Sequence, residues 1–382
     1  MQREYLHQLP GQSLKASNSS FLARFHLDTP LLLNLLVLAS FGLFVLYSAT
    51  NGSYDAVAAQ ATRVGIGFTV LLILAQIPPR VFRFWAPALY SFALVLLLLV
   101  LLVGTQKKGA QRWLTIPGLA QFQPAELAKV AVPAMVAWYF HERQLPARLR
   151  DVCLALVITC TPAAFIALQP DLGTALLVAI SGLIVLFMAG LSWRLIALAI
   201  TTTAIAAPLA YFFAMHDYQR RRVDTFFNPE ADPLGAGWNI IQSKTAIGSG
   251  GLSGKGWFNG TQSRLDFLPE SSTDFIFAVL GEELGFLGFS ILIALYLGIV
   301  LRCLLISYQA QDNFARLLSA ALGLTFFVYV VVNIGMVTGL LPVVGVPLPL
   351  VSYGGTSIIT LLAGFGILMS IKTHRKMHIH SS

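Results

Sequence analysis

The run Leu94-Val95-Leu96-Leu97-Leu98-Leu99-Val100-Leu101-Leu102-Val103 decides the fold. Ten residues without one polar side chain cannot be a transmembrane β-strand, which would alternate in polarity over about that length. The run ends a stretch, 84–103, close to the roughly 20 residues that cross a bilayer as a helix. Similar stretches recur along the chain of 382 residues, of which 56% are hydrophobic and 11% charged. That charge content is less than half the roughly 25% of an ordinary soluble domain, which excludes a water-soluble globular enzyme. Lipid offers backbone groups no hydrogen bonds, so the chain reads as an all-α polytopic membrane protein.

Working outward, ten spans are expected at 30–49, 58–77, 84–103, 124–140, 152–168, 172–190, 193–214, 274–308, 314–341 and 350–371. The first is too long for the apolar region of a signal peptide and lacks a small-x-small cleavage site after it, so it reads as a retained helix with nothing removed. With a cytoplasmic N-terminus, the inner segments hold Arg3, Lys15, Arg24, Arg80, Arg83, Arg143, Arg148, Arg150, Arg194, Arg302, Arg316, Lys372, Arg375 and Lys376, against Lys107, Lys108 and Arg112 in the short outer loops. The net charge of +8 thus follows the positive-inside rule, not nucleic-acid binding. Both termini are expected in the cytoplasm. The chain reads as one domain, 1–382, with tails at 1–29 and 372–382 and one large extracytoplasmic loop at 215–273 between the seventh and eighth spans. Cys153 and Cys160 are seven apart on one expected helix, about 10 Å, too far for a disulfide. With Cys303 they read as packing residues.

Several membrane chemistries can be eliminated. A zinc intramembrane protease needs a second His four residues after the first, but position 145 after His141-Glu142 is Leu. A serine intramembrane protease needs a buried His beside its Ser, and no His falls in an expected span. The glycine-rich run from Gly248 to Gly256 has Ser249 and Gly256 where a P-loop needs Gly and Ser or Thr. A flexible turn-rich loop is the plainer reading, and a backbone nest around some other diphosphate the alternative. His374, His378 and His380 read as a solvated tail rather than a metal site.

Ionisable groups in or beside spans remain, and by default they are functional candidates. Glu126 and Lys129 sit one turn apart after Gln123-Pro124; they either neutralise one another for insertion or present Lys129 to an anionic ligand. Arg112-Trp113 resembles an interfacial anchor. Asp266, Glu270, Asp274 and Glu282-Glu283 converge where a reentrant helix meets the outer interface. Thr273 or Asp274 is placed to cap that helix, yet capping needs only one carboxylate. Gln169-Pro170-Asp171-Leu172-Gly173-Thr174 and Leu350 to Ser357 are rich in small residues that let helices pack closely.

With these residues in view, the chain closely resembles the SEDS family, the shape, elongation, division and sporulation proteins of bacterial cell-wall synthesis. The resemblance covers nearly the whole chain. It rests on Gln123 to Lys129, Gln169 to Thr174, QSKTAIGSGG from Gln242 to Gly251, Pro269 to Gly285, Asn333 followed by Gly339-Leu340-Leu341-Pro342, and Ser352-Tyr353-Gly354-Gly355-Thr356-Ser357. The run GKGWFNGTQSRLDFLPE, Gly254 to Glu270, is similar to the elongation branch more than the division branch. The resemblance implies a ten-span peptidoglycan glycosyltransferase in the bacterial cytoplasmic membrane, polymerising lipid II on its outer face beside a crosslinking class B penicillin-binding protein. It also implies that Asp274, in the family's TDF motif, is catalytic. One departure matters: many relatives carry His where this chain has Ser272, so no acid-base role for that His operates here.

The mechanism so implied is a single inverting displacement. Asp274 would act as general base toward the acceptor hydroxyl. Lys129, Arg112, Arg264 and Lys244, with Trp113 beside them, would bind the substrate and offset charge developing on the diphosphate. Glu126 would hold Lys129, while Asp171, Glu270, Asp266, Glu282 and Ser352 would support the site. No cofactor is assigned, although clustered carboxylates admit a divalent cation. Two rival readings stay open: a flippase for lipid II, which needs a polar path to the cytoplasmic face, and a non-catalytic scaffold of the elongation machinery.

Overall fold

The computed structural model describes residues 26–107, 110–114, 122–213, 215, 217–228, 236–264 and 270–374. The chain is predominantly helical. In order it forms α1 (Thr29–Ala49), α2 (Tyr54–Gln76), α3 (Pro79–Val103), β1 (Thr105–Lys107), β2 (Ala110–Trp113), α4 (Pro124–Phe140), α5 (Leu149–Leu168), α6 (Leu172–Met188) and α7 (Trp193–Phe213). Then follow α8 (Asp217–Phe227), α9 (Ala236–Gly250), α10 (Thr261–Arg264), α11 (Ile276–Tyr308), α12 (Asn313–Val337) and α13 (Thr356–Thr373). Eight of them, α1, α2, α3, α5, α7, α11, α12 and α13, are long and apolar enough to cross a membrane; α6 is apolar but shorter.

Helix starts follow local chemistry. Asp28 accepts from the Leu31 amide at 3.1 Å to cap α1, and Asp312 accepts from the Ala315 amide at 2.6 Å to cap α12. Each satisfies one of the orphan donors of a first turn. α2 packs along α13, α3 against α4, α5 against α6 and α11 against α12. At the centre lies α4, whose Ala125, Ala128, Ala131, Val132 and Ala137 are buried; small side chains let neighbouring helices approach closely. α7, by contrast, buries no residue.

The structure departs from the sequence reading in several places. The loop after α3 is an antiparallel hairpin, Thr105 opposite Trp113 and Lys107 opposite Ala110, so the fold is not purely helical. Cys153 and Cys160 lie exposed on α5, and only Cys303 packs in the core; seven residues apart, the first two share one face, and that face points outward. The last expected span does not begin at 350: α13 starts at Thr356, and α12 stops at Val337. Between them Gly339, Pro342, Gly345, Pro347 and Pro349 deny the backbone a helix. His374 is no free tail residue. It stacks on His26 with ring centroids 3.9 Å apart, so the two ends of the described chain meet; His378 and His380 lie outside the described residues.

The long connection between α7 and α11 is structured by α8, α9 and α10. Its glycine-rich end serves the next helix. α11 breaks at Gly285, with φ 60 and ψ −153, and a break in a buried helix strands backbone groups. Here the amides of Phe286 and Leu287 donate to the carbonyls of Gly251 and Leu252 at 3.0 and 3.1 Å. In return, the amides of Lys255 and Gly256 donate to the carbonyls of Glu282 and Glu283 at 2.9 and 3.0 Å. The run thus ends α9 and continues as turns, and two of its amides, those of Lys255 and Gly256, are taken up by the broken helix.

Candidate active site

The short helical piece before the break, Ile276 to Glu283, is wholly buried, and Asp274 stands just before it. Three hydrogen bonds from two elements hold the peptide units there. The Tyr353 amide donates to the Ser272 carbonyl at 2.8 Å, the Ser352 hydroxyl to the Thr273 carbonyl at 2.5 Å, and the Asn333 side-chain amide to the Asp274 carbonyl at 2.9 Å. Asn333 also donates to the Val346 carbonyl at 2.7 Å, and Ser352 accepts from the Leu348 amide at 2.7 Å. A half-buried residue is thereby fixed from α12 and from the irregular segment before α13. The expected capping role is not met: Phe275 occupies the cap of α11, with no side-chain cap hydrogen bond. Thr273 instead donates to the Glu270 carboxylate at 2.6 Å.

Beside Asp274 lies a polar cavity of about 150 Å³, lined by Arg112, Trp113, Gln123, Glu126, Lys129, Asp171, Tyr329, Gly345, Thr356 and Ser357, among others. Gly345 connects the two: a Cβ there would stand 3.4 Å from Asp274 Oδ2. Lys129 Nζ pairs with Glu126 Oε1 at 2.7 Å, both nearly buried, and lies 5.0 Å from the centre of the Tyr329 ring. Removing either charge would leave the other uncompensated. Arg112 approaches Asp171 at 3.5 Å and donates to the Pro170 carbonyl at 2.5 Å. Asp171 also caps α6, accepting from the Thr174 amide at 3.2 Å. The cavity thus carries matched charges with hydrogen-bond donors on several sides, in surroundings where such groups act strongly on an anion.

Of the expected site residues, the structure brings together Arg112, Trp113, Glu126, Lys129 and Asp171 around this cavity, with Asp274 at its edge and Ser352 behind Asp274. Others stand elsewhere. Glu282 is buried but accepts from Lys255 Nζ at 2.6 Å, from the Thr261 hydroxyl and amide at 2.8 Å, and from the Gln262 amide. It secures the loop over the helix break. Glu283 accepts from the Gly260 amide of the same loop at 3.4 Å and from the Ser48 hydroxyl of α1 at 2.6 Å. Arg264 stacks on Phe258 at 4.0 Å, within an aromatic group that includes Tyr47 and Trp257. Lys244 is exposed and lies along Gly339, where a Cβ would be 2.3 Å from Lys244 Cε. Asp266 lies outside the described residues. Glu282 and Glu283 are thus engaged by Lys255 and Ser48, and among the described residues no three His, Cys, Asp or Glu form a metal-ligating group.

Sequence reading missed three contributors, Tyr329, Gln60 and Arg63. Thr325, Tyr329 and Asn333 recur every four residues along α12, so one face of an apolar helix carries a polar stripe. That spacing was a usable signal for Tyr329. Gln60, 1% exposed, donates to the Ser352 carbonyl at 2.9 Å and accepts from the Gly354 amide at 3.2 Å. Arg63, one turn further, lies 4.6 Å from the centre of the Tyr353 ring. It is the one basic residue of the span 58–77, about 14 Å along α2 at helical rise, and such a charge inside a span is itself a signal.

The family model described as "Cell cycle protein", covering FtsW, RodA and SpoVE, matches residues 23–377. The chain belongs to this family. It is 53% identical over 361 residues to peptidoglycan glycosyltransferase MrdB of Escherichia coli strain K12, covering 94% of this chain and 97% of that one. To the probable peptidoglycan glycosyltransferase FtsW of Trichlorobacter lovleyi it is 37% identical over 364 residues, covering 92% and 94%. Among solved structures, it is similar to a chain from work on structural coordination of polymerization and crosslinking by a peptidoglycan synthase complex, with TM-score 0.82, 32% identity, and 92% and 99% of the two chains covered. It is likewise similar to the rod shape determining protein RodA of Thermus thermophilus, with TM-score 0.70, 29% identity, and 92% and 98% covered. Within the family the chain is most like the RodA-type members.

Proposed function

We propose that the chain is a peptidoglycan glycosyltransferase of the bacterial cytoplasmic membrane. It polymerises lipid II at the outer face, beside a class B penicillin-binding protein that crosslinks the product. The glycosyltransferase activity follows from 53% identity over 94% of the chain to a protein of that name, and the partner from likeness to a chain of a peptidoglycan synthase complex. The observation that carries the chemistry is the fixing of Asp274 from two elements at the edge of a cavity holding Lys129 and Arg112. On this reading the bundle has ten spans with both termini in the cytoplasm; the meeting of His26 and His374 supports an even number of crossings.

A general base must stand rigidly within reach of the hydroxyl it deprotonates, and the backbone clamps supply that rigidity. Asp274 takes the proton from the acceptor's 4-hydroxyl as that oxygen attacks the donor's anomeric carbon. Lys129 and Arg112 offset charge gathering on the departing diphosphate, where a low-dielectric wall strengthens them. Glu126 and Asp171 hold those cations in place through ion pairs. Transport is less favoured: the chamber of about 50 Å³ that shares Glu126 and Lys129 with the cavity is walled mainly by apolar residues, Leu322, Phe326, Phe365 and Leu368 among them, and beyond that ion pair it offers hydroxyls such as Thr325 and Thr360 but no further charge.

The test is glycan-strand formation from purified lipid II in detergent with the cognate class B penicillin-binding protein, comparing wild type with Asp274→Asn. The substitution keeps size and removes the base. A folded variant slowed by about 10² to 10⁴-fold is expected, and one that polymerises at the wild-type rate overturns the assignment.

A further inference from the structure

The end of the bundle away from Asp274 carries a second polar cavity. It measures about 340 Å³ and is lined by Arg83, Trp138, Tyr139, His141, Glu142 and Arg143. Its place follows from the helices. α4 lines the first cavity at Glu126 and reaches His141 about 22 Å further along its axis. α3 starts at Pro79, beside Ile77, whose carbonyl accepts from the Ser370 hydroxyl near the end of α13. That is the end where His26 stacks on His374, and Arg80, Arg148 and Arg150 stand exposed there.

The two cations that line this cavity differ. Arg143 is satisfied by the protein: its Nη1 pairs with Asp151 at 2.6 Å, its Nε donates to the Tyr139 carbonyl at 3.1 Å, and it stacks 4.0 Å from the centre of the Tyr139 ring. Arg83 is half-buried and forms no salt bridge among the described residues. Its hydrogen bond there is to a neutral base, Nη1 donating to His141 Nε2 at 2.6 Å. A guanidinium has donors only, so Nε2 accepts and Nδ1 carries the ring proton. That Nδ1 is buried without a partner, a cost that an apolar side chain in the same place would avoid. The imidazole thus serves to orient Arg83, most of whose donors make no hydrogen bond within the described protein.

An anion completes such a site, and the charges around it say which kind. One cation is unpaired, and the exposed Glu142 on the rim opposes a second negative charge. A phosphodiester is a monoanion, whereas a free phosphate monoester carries roughly −1.5 to −2 at neutral pH. The surroundings favour lipid. Trp85 and Trp138 are 59% and 39% exposed at this depth, and exposed indoles sit at headgroup level. Basic pockets between helices at the cytoplasmic side take anionic headgroups. We propose that this cavity seats the phosphodiester of an anionic phospholipid, with Arg83 as the binding cation and Arg143 beside it. Its leaflet, the inner one, rests on the topology proposed above; the binding itself uses neither that topology nor glycosyl transfer.

The experiment is lipid binding to the full chain, purified in detergent and delipidated. It is read by native mass spectrometry and by the rise in thermal midpoint that a ligand of the folded state produces. The probes are dioleoylphosphatidylglycerol, zwitterionic dioleoylphosphatidylcholine and soluble glycerol phosphate. Wild type is expected to hold phosphatidylglycerol at least about tenfold more tightly than phosphatidylcholine. Arg83→Gln should erase that preference, whereas Arg194→Gln, at an exposed cation near the start of α7 and outside the cavity, should keep it. Equal binding of the two lipids by wild type overturns the proposal. So does a preference that survives in folded Arg83→Gln, or one that falls alike in both variants, since diffuse surface charge would then account for it. If Arg83→Gln does not fold, His141→Phe takes its place: without its orienting base Arg83 should lose the preference several-fold, and an unchanged preference overturns the seat. Glycerol phosphate bound as tightly as the lipid makes a free phosphate ester the occupant and overturns the lipid source. Binding is read without turnover, so an Asp274→Asn protein that still polymerises would sink the general-base role and leave this seat standing.

Discussion

Asn333 is a single side chain with a disproportionate position, since its amide donates to the carbonyls of both Asp274 and Val346 and it is fully buried. Asn333→Leu would fill similar space and leave both carbonyls unpaired, at about 1–3 kcal/mol each. The expected result is a lower thermal midpoint together with a fall in kcat that exceeds any rise in KM, read from lipid II turnover; a lower midpoint with kcat intact would make Asn333 structural only. At this scale the sequence is informative about which residues are charged inside a membrane, and so Lys129, Glu126, Arg112, Asp171 and Asp274 could be singled out. It could not separate them from Glu282, Lys244 and Arg264, which are just as polar. What divides the two groups is the path of residues 251–264 over the helix break, and that is set by contacts between segments far apart in the chain. Arg63 went unread for a simpler reason: it lies inside a span, where a count of loop charges does not look.

The break in α11 shows how an element can depend on another for its backbone. Gly285 sits at φ 60, ψ −153, a region open in practice to glycine alone, and a Cβ there would lie 2.4 Å from the Gly254 amide nitrogen. Gly285→Ala therefore combines backbone strain of about 1–3 kcal/mol with displacement of the loop that pairs with the break. A lowered thermal midpoint in detergent and weakened protection of the Phe286 and Leu287 amides in hydrogen exchange are expected; unchanged protection would show that the loop does not stitch the break. Helix positions themselves could be read well, because long apolar runs leave little choice of register in a bilayer. The ends of α12 and α13 could not, since residues 338–355 are as apolar as a span and only their glycines and prolines mark them as irregular. The hairpin of β1 and β2 was missed because a seven-residue strand pair carries too little pattern to rise above loop composition.

Taken whole, the molecule joins its two described ends. His26 stacks on His374, and the Thr373 hydroxyl donates to the His26 carbonyl at 3.3 Å. Burial, then the neighbouring His374, holds His26 below its usual value of 6.5. The folded protein thus keeps His26 neutral over a range where the unfolded chain has taken up a proton. Stability contributed here is complete above about pH 6.5 and is lost as pH falls from there through the depressed value. The thermal midpoint in detergent should therefore decline between about pH 7 and pH 5, and His26→Gln should flatten that part of the profile; an equal decline in the variant would place the titration elsewhere. The same junction has a topological consequence. Because residues 26 and 374 touch, a covalent link between them would turn the helix bundle into a closed ring without threading any segment through the bilayer. Such circularisation restricts only the denatured chain, by about 6 kcal/mol for a loop of this order, so the backbone could be reopened in a surface turn elsewhere to give a circular permutant with every helix in place.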